Sequence, residues 1–326
     1  MPEPLLSVTI TAREQAELIA SPPDERPLAP TEVEGRTLAT LISAGTELAS
    51  AYQGSTFPAV PGYAAVFEVE NVGSEVGPFK PGDRAFCMGG HRSRQRVPAA
   101  NALPLPEGID PRSATFARMM GVPMATLTTT TARPPQKVLV TGLGLVGNLG
   151  SLIFQRCGYD VIACDPHEGR RKIAEDAGVK RVLSGVPLDD PSLVGEIALA
   201  IECSGHEGAA LAALKIVRKR GEVVLIGTPW RKRTDHTAHE ITHAVFHRYV
   251  VLRSGWEWEV PLHPEEFRSN SIHGNIAAAL GWIADGSIRV DGLYTAVPPA
   301  RCQEAYHDLL HQRPDRLGIV FDWTQA

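Results

Sequence analysis

Cysteine is scarce in this sequence, and its five cysteines form no recognisable metal-binding or disulfide pattern. Their number is odd, their spacing is wide and no C-x-x-C pair occurs; they are Cys87, Cys157, Cys164, Cys203 and Cys302. Disulfide-dependent secreted domains and thiolate zinc knuckles have denser, paired cysteines. The cysteine content therefore argues against both classes and favours buried free thiols in a reducing, cytoplasmic environment.

The sequence also lacks long apolar runs and an excess of positive charge. No uninterrupted apolar stretch reaches the roughly 18 residues that a transmembrane helix needs, and the start, Met1-Pro2-Glu3-Pro4, has no signal-peptide pattern. Lys and Arg number 32 against 37 Asp and Glu, which gives a net charge of −5. Binding nucleic acids or anionic membranes through charge requires a surplus of cations. We therefore expect a cytoplasmic protein that binds neither nucleic acid nor membrane.

The chain is long enough for about two domains, and its pattern changes along its length. Residues 1–117 are rich in Pro, Gly and short β-type runs, which predicts an irregular, β-rich domain. Residues 118–288 alternate strand and helix patterns, which predicts a second, α/β domain. Residues 289–326 end in a helix and a strand that we expect to return to the first domain.

The second domain is predicted to contain short apolar strands joined by helices. The predicted strands are Lys137–Thr141, Asp160–Cys164, Arg181–Leu183, Leu199–Ile201 and Glu222–Ile226. Strands of this kind with helical crossovers are typical of a parallel, doubly wound sheet that is buried on both faces.

A glycine motif follows the first of these strands. It reads Gly142-Leu143-Gly144-Leu145-Val146-Gly147, opens a predicted helix, and is followed about 20 residues further on by a strand that ends at Asp165. In this context G-x-G-x-x-G is the dinucleotide-binding fingerprint. Gly142 permits the tight turn, Gly144 lets the backbone approach a pyrophosphate, and Gly147 lets the helix pack closely on the strand. Leu145 and Val146 belong to the helix N-terminus, which offers N–H groups to the phosphates.

Asp165 bears on the choice of nucleotide. Its carboxylate would accept hydrogen bonds from the adenosine ribose hydroxyls and repel a 2′-phosphate, so we expect NAD(H) rather than NADP(H). Arg170 and Arg171 lie a few residues on and keep the NADP(H) alternative open, although both also suit a solvated helix start.

Several further segments follow in a characteristic order: Ile42–Glu47, Pro61–Ala64, Lys80–Arg84, the glycine motif, Ile201–Gly205 and Val223–Thr228. This order resembles the medium-chain dehydrogenase/reductase superfamily, which includes the zinc-type alcohol dehydrogenases, over nearly the whole chain. The resemblance implies an α/β fold with a GroES-like β-rich domain plus a doubly wound Rossmann domain, and an NAD(P)-dependent homo-oligomeric enzyme, commonly a homodimer. The first two segments also resemble the branch that contains bacteriochlorophyllide dehydrogenase.

The resemblance also assigns residues to the cofactor and to the zinc of typical members. Cys203, Ser204, Gly227 and Thr228 match segments that contact the cofactor. The Cys, His and Glu positions of the catalytic zinc site are occupied by Ala44, Tyr63 and Ala64. A catalytic zinc needs about three protein ligands and an open position, so we expect no zinc here.

Without zinc, another group must handle the proton that accompanies hydride transfer. Tyr63 stands at the position of the ligand histidine, and we expect it to act as hydrogen-bond donor or general acid. The alternative is that it merely fills the space of the lost metal. Thr46 matches the hydroxyl of the usual proton relay, and Glu47 is adjacent to it.

Two other patterns carry alternatives. His239-Glu240-Ile241-Thr242-His243 has the H-E-x-x-H form of zinc peptidases, and His236, His239, His243 and His247 would share one helix face. A polar helix face is the main interpretation, and metal binding stays open. Trp256 and Trp258 would wall a pocket or an interface.

The sequence therefore predicts a zinc-independent, NAD(H)-dependent oxidoreductase that interconverts an alcohol and a ketone on a small, cyclic or polyhydroxylated substrate. One alternative is an NAD(P)H-dependent ene reductase of a conjugated C=C bond. The other is a catalytically inactive protein that senses NAD(H).

Overall fold

The structure is a computed structural model that describes residues 4–311 and 317–326. Its backbone forms two compact units. The first unit consists of the chain up to Arg118, Leu280–Gly286 and Val290–Ala326. The second unit consists of Met119–Ala279 and Ser287–Arg289. No helix within the described residues is long and apolar enough to cross a bilayer.

Strands in the described part of the chain are β1 (Leu5–Ala12), β2 (Gln15–Ser21), β3 (Glu32–Leu41), β4 (Ala65–Val72), β5 (Arg84–Cys87), β6 (Arg94–Pro98), β7 (Ala102–Pro104), β8 (Lys137–Thr141), β9 (Asp160–Cys164), β10 (Val182–Leu183), β11 (Ile197–Glu202), β12 (Val217–Leu225), β13 (Val251–Ser254), β14 (Tyr294–Val297) and β15 (Gly318–Asp322).

Helices in the same ranges are α1 (Ala44–Glu47), α2 (Pro111–Ala114), α3 (Ala117–Thr129), α4 (Leu145–Arg156), α5 (Glu168–Asp176), α6 (Glu207–Ile216), α7 (Ala238–Arg248), α8 (Ile272–Ala284) and α9 (Cys302–Leu310). A π-helical turn, Leu48–Tyr52, continues α1.

The second unit is built on a six-stranded parallel sheet. Its strand order is β10-β9-β8-β11-β12-β13. Counted from β8 as the first strand, this is the order 3-2-1-4-5-6 of a doubly wound dinucleotide-binding sheet. The predicted fold of this region is confirmed. The order reverses between β8 and β11, and ligands of such sheets bind outside the carboxyl ends of the strands at that switch point.

Burial explains why these segments form central strands. All six residues of β11 are buried, and so are the four that follow Lys137 in β8. Parallel strands covered by helices on both faces need such continuous apolar runs. Leu139, Ile162 and Val223 pack with Leu211 and Leu214 of α6 in one core, which fixes the strand ends that present the glycine loop.

The first unit contains a two-stranded sheet, β1–β2, and a seven-stranded sheet. The larger sheet has the order β14-β15-β3-β4-β5-β7, with β6 also pairing with β3. Strand β15 lies between β14 and β3 and pairs with β3 through Val320 and Leu41. The end of the chain therefore supplies an internal strand of this sheet.

A core beside this sheet contains both ends of the chain. Ile10 of β1, Tyr52, Tyr306 of α9 and Phe321 of β15 are all buried in it. The Tyr52 and Tyr306 rings stack with centroids 5.2 Å apart. Through this packing, α9 is held against the turn that carries the candidate catalytic residues.

Candidate functional site

The glycine loop between β8 and α4 is tightly packed at its two ends. Gly142 has a φ of +83°, and a Cβ there would lie 2.8 Å from the backbone N of Ser204. A Cβ on Gly147 would lie 1.8 Å from the carbonyl oxygen of Gly142. Glycine is therefore required at both positions, for the left-handed turn and for the approach of α4 to β8.

The middle of the loop is open. A Cβ placed on Gly144, the N-cap of α4, would meet nothing within 4 Å. Leu145 and Val146 follow as the half-buried first residues of α4. The first N–H groups of a helix have no partner within it, and they carry the positive end of its dipole. The open space and these donors fit a pyrophosphate group.

The carboxyl ends of β11 and β12 meet the glycine loop. Gly227 approaches so closely that a Cβ there would lie 2.2 Å from the N of Gly205 and 2.7 Å from the carbonyl carbon of Cys203. Ser204 and Thr228 are exposed at this edge, and Cys203 is half-buried. The structure thus brings the two predicted cofactor segments together with the glycine motif.

A buried carboxylate that the sequence analysis missed organises this edge. Glu202, 1% exposed at the end of β11, accepts hydrogen bonds from the N–H groups of Ser204 (2.7 Å) and Gly205 (3.0 Å). The Ser204 and Thr141 hydroxyls also donate to it. Burial raises the pKa of the Glu202 carboxyl above its usual value, although these bonds act in the opposite direction. Glu202 therefore fixes the Cys203–Gly205 turn and leaves Ser204 facing outward.

Asp165 lies at the end of β9 beside the same loop, and its side chain is only 2% exposed. One carboxylate oxygen accepts the N–H of Leu143 and the other accepts that of His167, each at 2.8 Å. Arg170 places Nη1 3.6 Å from the first of these oxygens, and Arg171 uses Nη1 for the carbonyl oxygens of Asp165 (2.9 Å) and Pro166 (2.8 Å). Asp165 thus has a structural task, joining two loops, in addition to the predicted contact with ribose.

In the first unit, the Tyr63 hydroxyl donates a short hydrogen bond to the hydroxyl of Ser43. The Tyr63 side chain is half-buried, as is Thr46, whose N–H donates to the carbonyl of Ser43 at 3.1 Å. Burial raises the pKa of the Tyr63 phenol above its usual value; hydrogen bonds to Ser43 and Thr46 and the charge of Arg118 act against this, whereas Glu47 adds to it. The phenol therefore stays protonated at neutral pH and is available as a proton donor.

Glu47 occupies a different environment from its neighbour Thr46. It is 2% exposed, and it accepts hydrogen bonds from the N–H of Ser43 (2.8 Å) and the hydroxyl of Tyr306 (2.5 Å). His91 Nε2 lies 3.0 Å from the same oxygen that Tyr306 contacts. Burial raises the pKa of the Glu47 carboxyl, but His91 and the two hydrogen bonds outweigh it, so the pKa lies below its usual value. Glu47 is thus an ionised anchor beneath the turn that carries Ser43 and Thr46.

The hydrogen bonds around His91 indicate the orientation of its ring. Trp323 Nε1 donates to the hydroxyl of Thr40 at 3.0 Å, and that hydroxyl lies 2.8 Å from His91 Nδ1. Because indole N–H is only a donor, the Thr40 oxygen accepts from it and its own proton is free to point at Nδ1. Each ring nitrogen of His91 thus has a partner, Nδ1 the Thr40 hydroxyl and Nε2 the Glu47 carboxylate.

A cation lies over the face of the Tyr63 ring. The guanidinium carbon of Arg118 is 4.8 Å from the ring centroid, and Arg118 as a whole is 3% exposed. Neither Arg118 nor Ser43 was assigned a catalytic role from the sequence. The residues that meet at Tyr63 are far apart along the chain, so no local spacing could have indicated them.

The positions that hold the catalytic zinc in typical relatives do not fit the metal. Ala44 and Ala64 have no donor atom, and the Tyr63 phenol, which stays protonated, is a poor zinc ligand. Within residues 4–311 and 317–326, no group of three or more His, Cys, Asp or Glu side chains is arranged to hold a metal ion.

The histidines of α7 line an open groove of about 330 Å³ together with Lys215 and Arg248. Within their H-E-x-x-H pattern, Glu240 accepts the N–H of Thr237 at 2.7 Å in a capping box, and lies 3.0 Å from His236 Nδ1. Its carboxylate is therefore occupied in starting the helix, unlike that of a peptidase base. Trp256 and Trp258 are 70% and 52% exposed.

The predicted residues thus fall into two groups. The cofactor candidates, from Gly142 to Thr228, lie together at the strand ends of the second unit. Tyr63, Thr46 and Glu47 lie together in the first unit, where Ser43 connects them. A doubly wound sheet with a glycine loop at its switch point is the architecture of dinucleotide-binding α/β proteins.

Comparison with known proteins finds similarity to dehydrogenases over part of the chain. The zinc-binding dehydrogenase family matches residues 146–257. Glucose 1-dehydrogenase of Metallosphaera sedula is 26% identical over 192 residues, which cover 57% of this chain and 48% of that protein. Alcohol dehydrogenase of Geobacillus stearothermophilus is 24% identical over 208 residues, which cover 53% of this chain and 61% of that protein. The chain thus matches between about half and three fifths of the length of these relatives.

The fold is shared over nearly the whole length with a solved structure. Galactitol-1-phosphate dehydrogenase from Escherichia coli superposes with a TM-score of 0.82 at 15% identity, covering 97% of this chain and 99% of that one. The predicted combination of a GroES-like domain with a doubly wound domain is confirmed. Residues 146–257 are thus similar to the zinc-binding dehydrogenase family, and the whole chain shares the fold of a solved dehydrogenase.

Proposed function

We propose that this protein is an NAD(H)-dependent oxidoreductase that interconverts an alcohol and a ketone without a catalytic zinc ion. The observation that carries the proposal is the open N-terminus of α4 at Gly144, set at the switch point of the sheet between closely packed Gly142 and Gly147. Relatives named for glucose, alcohol and galactitol 1-phosphate support a small, polyhydroxylated or cyclic substrate.

The preference for NAD(H) rests on the surroundings of Asp165. Each oxygen of its carboxylate accepts one backbone N–H and retains a lone pair for a ribose hydroxyl. Its negative charge disfavours a 2′-phosphate. Arg170 lies within ion-pair distance of Asp165 and Arg171 binds backbone carbonyls, so both arginines already have partners in this loop.

The absence of a catalytic zinc rests on the donor set at positions 44, 63 and 64. The residues that match the family, 146–257, lie outside these positions, so the family match is compatible with a site that has lost its ligands. The bound nicotinamide would supply or accept the hydride. The chain must then bind the substrate oxygen and hold its proton.

Tyr63 performs this second task in our proposal. In the reducing direction its phenol donates a hydrogen bond to the substrate carbonyl and then gives up its proton to the oxygen. Thr46, half-exposed and hydrogen-bonded near the phenol, returns a proton to Tyr63 from solvent. Glu47 has a positioning role, because its carboxylate is buried and holds the backbone of Ser43. Alcohol oxidation uses the same groups in reverse.

The first test is a fluorescence titration with NADH and, separately, NADPH, followed by transfer of deuteride from labelled NADH to a panel of ketones. We expect tighter binding of NADH and turnover that survives a metal chelator, with no stoichiometric zinc in the purified protein. A preference for NADPH with reduction of conjugated C=C bonds would establish an ene reductase instead. Tight NADH binding without any deuteride transfer would indicate a sensor of NAD(H).

The role of Tyr63 is tested by Tyr63→Phe, with Tyr249→Phe as the matched control because Tyr249 is a 70% exposed tyrosine of the other unit. Loss of a positioned general acid costs roughly 10²–10⁴-fold in rate. We expect such a loss in kcat for Tyr63→Phe with NADH binding unchanged. Equal kinetics in both variants would remove Tyr63 from the mechanism.

A further inference from the structure

The Tyr63 phenol is held from two directions. The Arg118 guanidinium lies 4.8 Å from the centre of the Tyr63 ring, and the Ser43 hydroxyl accepts a hydrogen bond from the Tyr63 hydroxyl. An arginine over an aromatic face is attracted by the ring quadrupole, more strongly when both are removed from water. Because Arg118 is 3% exposed, this contact lies where charge interactions are weakly screened.

The support of this arrangement is itself rigid. Ser43 donates its N–H to Glu47, and Glu47 is fixed by Tyr306 and His91. On the other side of Tyr63, Gly62 packs on His91 so closely that a Cβ would lie 2.8 Å from the His91 N. Both the backbone before Tyr63 and the partner of its hydroxyl therefore connect to the same buried cluster.

We propose that Arg118 is a positioning residue for Tyr63. Its guanidinium fixes the plane of the ring and stabilises the negative charge that the phenolic oxygen carries after the proton has left. The use of this proton in catalysis rests on the proposed function. The stabilisation of the phenolate is independent of the proposed function, because it can be measured without substrate or cofactor.

In the part of the chain that the structure describes, two charged groups affect the ionisation of the Tyr63 phenol. Arg118 favours the phenolate, and Glu47 disfavours it. The Ser43 and Thr46 hydroxyls also favour the phenolate, whereas burial favours the neutral phenol. Removing the cation leaves burial and Glu47 less opposed, so the phenol becomes harder to ionise. An opposite charge within about 4–6 Å changes a pKa by roughly 1–3 units. We expect a change at the lower end of this range, because Ser43 and Thr46 also stabilise the phenolate and remain when Arg118 is replaced.

The experiment is a spectrophotometric pH titration of tyrosinate in the protein without ligands, with the Tyr63→Phe spectrum subtracted so that Tyr63 alone is observed. For Arg118→Met we expect the Tyr63 midpoint to rise by about one pH unit, which is tenfold less phenolate at a given pH. Arg118→Lys keeps the charge, so its Tyr63 midpoint should rise less than that of Arg118→Met. Arg36→Met removes a half-exposed arginine of the same unit that pairs with Glu68 and should leave the midpoint unchanged.

If Arg118→Met does not fold, the titration is made on Arg118→Gln, which keeps a polar end at this buried position. The expected rise of the Tyr63 midpoint is the same. A Tyr63 midpoint equal to that of the wild type in the folded uncharged variant overturns the proposal, whether or not the enzyme turns over. In active enzyme, the pH profile of kcat should shift upward with the midpoint while KM is retained. Absence of turnover in the wild type with either nucleotide contradicts the proposed function and leaves the titration result standing.

Discussion

The glycine loop offers a pair of substitutions with opposite expected effects. Gly147→Ala places a methyl group 1.8 Å from the carbonyl oxygen of Gly142 and 3.2 Å from Cys203 Cβ. The first contact is with backbone, so no side chain can turn aside, and α4 must move away from β8 by roughly 1.5 Å to restore an ordinary contact. Gly144→Ala places the same methyl group in open space, with nothing within 4 Å.

These distances set the expected magnitudes. Overpacking of a rigid contact costs typically 1–3 kcal/mol, and we expect about 3 kcal/mol for Gly147→Ala because backbone must shift. For a unit of this size that lowers the melting temperature by roughly 10 °C. Gly144→Ala should cost about 1 kcal/mol or less, since alanine is only a poorer N-cap than glycine. Its methyl group would stand where the pyrophosphate approaches, so NADH affinity should fall at least about tenfold, or 1.4 kcal/mol.

The assay combines thermal unfolding with fluorescence titration of NADH for both variants. Gly185→Ala is the matched control, because Gly185 is exposed and a Cβ there also meets nothing within 4 Å. We expect Gly144→Ala to melt near the wild type yet bind NADH weakly, and the control to behave as wild type in both assays. Wild-type NADH affinity in Gly144→Ala would refute the placement of the pyrophosphate at this helix.

Three further predictions concern buried carboxylates and their partners. Asp165→Asn removes the charge that disfavours a 2′-phosphate, so the ratio of the NADPH to the NADH dissociation constant should fall at least about tenfold; an unchanged ratio in parallel titrations would contradict this. Glu47→Gln should lower the free energy of unfolding by about 2–3 kcal/mol at pH 7, because a buried charged acceptor is lost. Since the folded-state pKa of Glu47 lies below its usual value, this contribution is complete above the unfolded value of about 4.3 and disappears as pH falls through the folded value. Urea unfolding curves of the two proteins should therefore converge in acid. Tyr306→Phe removes the hydroxyl hydrogen bond to Glu47 and leaves His91 as the remaining side-chain partner of that oxygen. It should cost about 1–2 kcal/mol by urea unfolding, and no loss would show that the bond contributes nothing net.

The sequence predicted the second unit well because its signals are local. The bounds of β8 and β9 agree with the predicted strands, since each is a short apolar run that ends at a turn. Strand β12 begins at Val217, earlier than the predicted Glu222, and its first part includes the charged run Arg218–Arg220, which has no apolar strand pattern. Strand β13 was not predicted at all: Val251–Ser254 is a half-exposed edge strand without a continuous apolar run.

The candidate site was predictable only in part. Tyr63, Thr46 and Glu47 stood out because they match a family motif. Their partners did not, because Arg118 and Tyr306 reach them by long-range packing that leaves no spacing in the sequence. Glu202 was missed for a different reason: it directly follows the predicted strand Leu199–Ile201, and a single acidic residue there carries no signal of burial.

The placement of β15 has a consequence for the order in which the protein is made. Strand β3 is synthesised early, yet its partner β15 and the Tyr306 and Trp323 side chains that reach Glu47 and Thr40 come from the last part of the chain. The six-stranded sheet of the second unit is complete once β13 has been translated. On the ribosome the second unit can therefore form once residues up to Arg289 have emerged, before β15 is available to the first unit. The residues around Tyr63 acquire their final arrangement only after residues 318–322 have emerged.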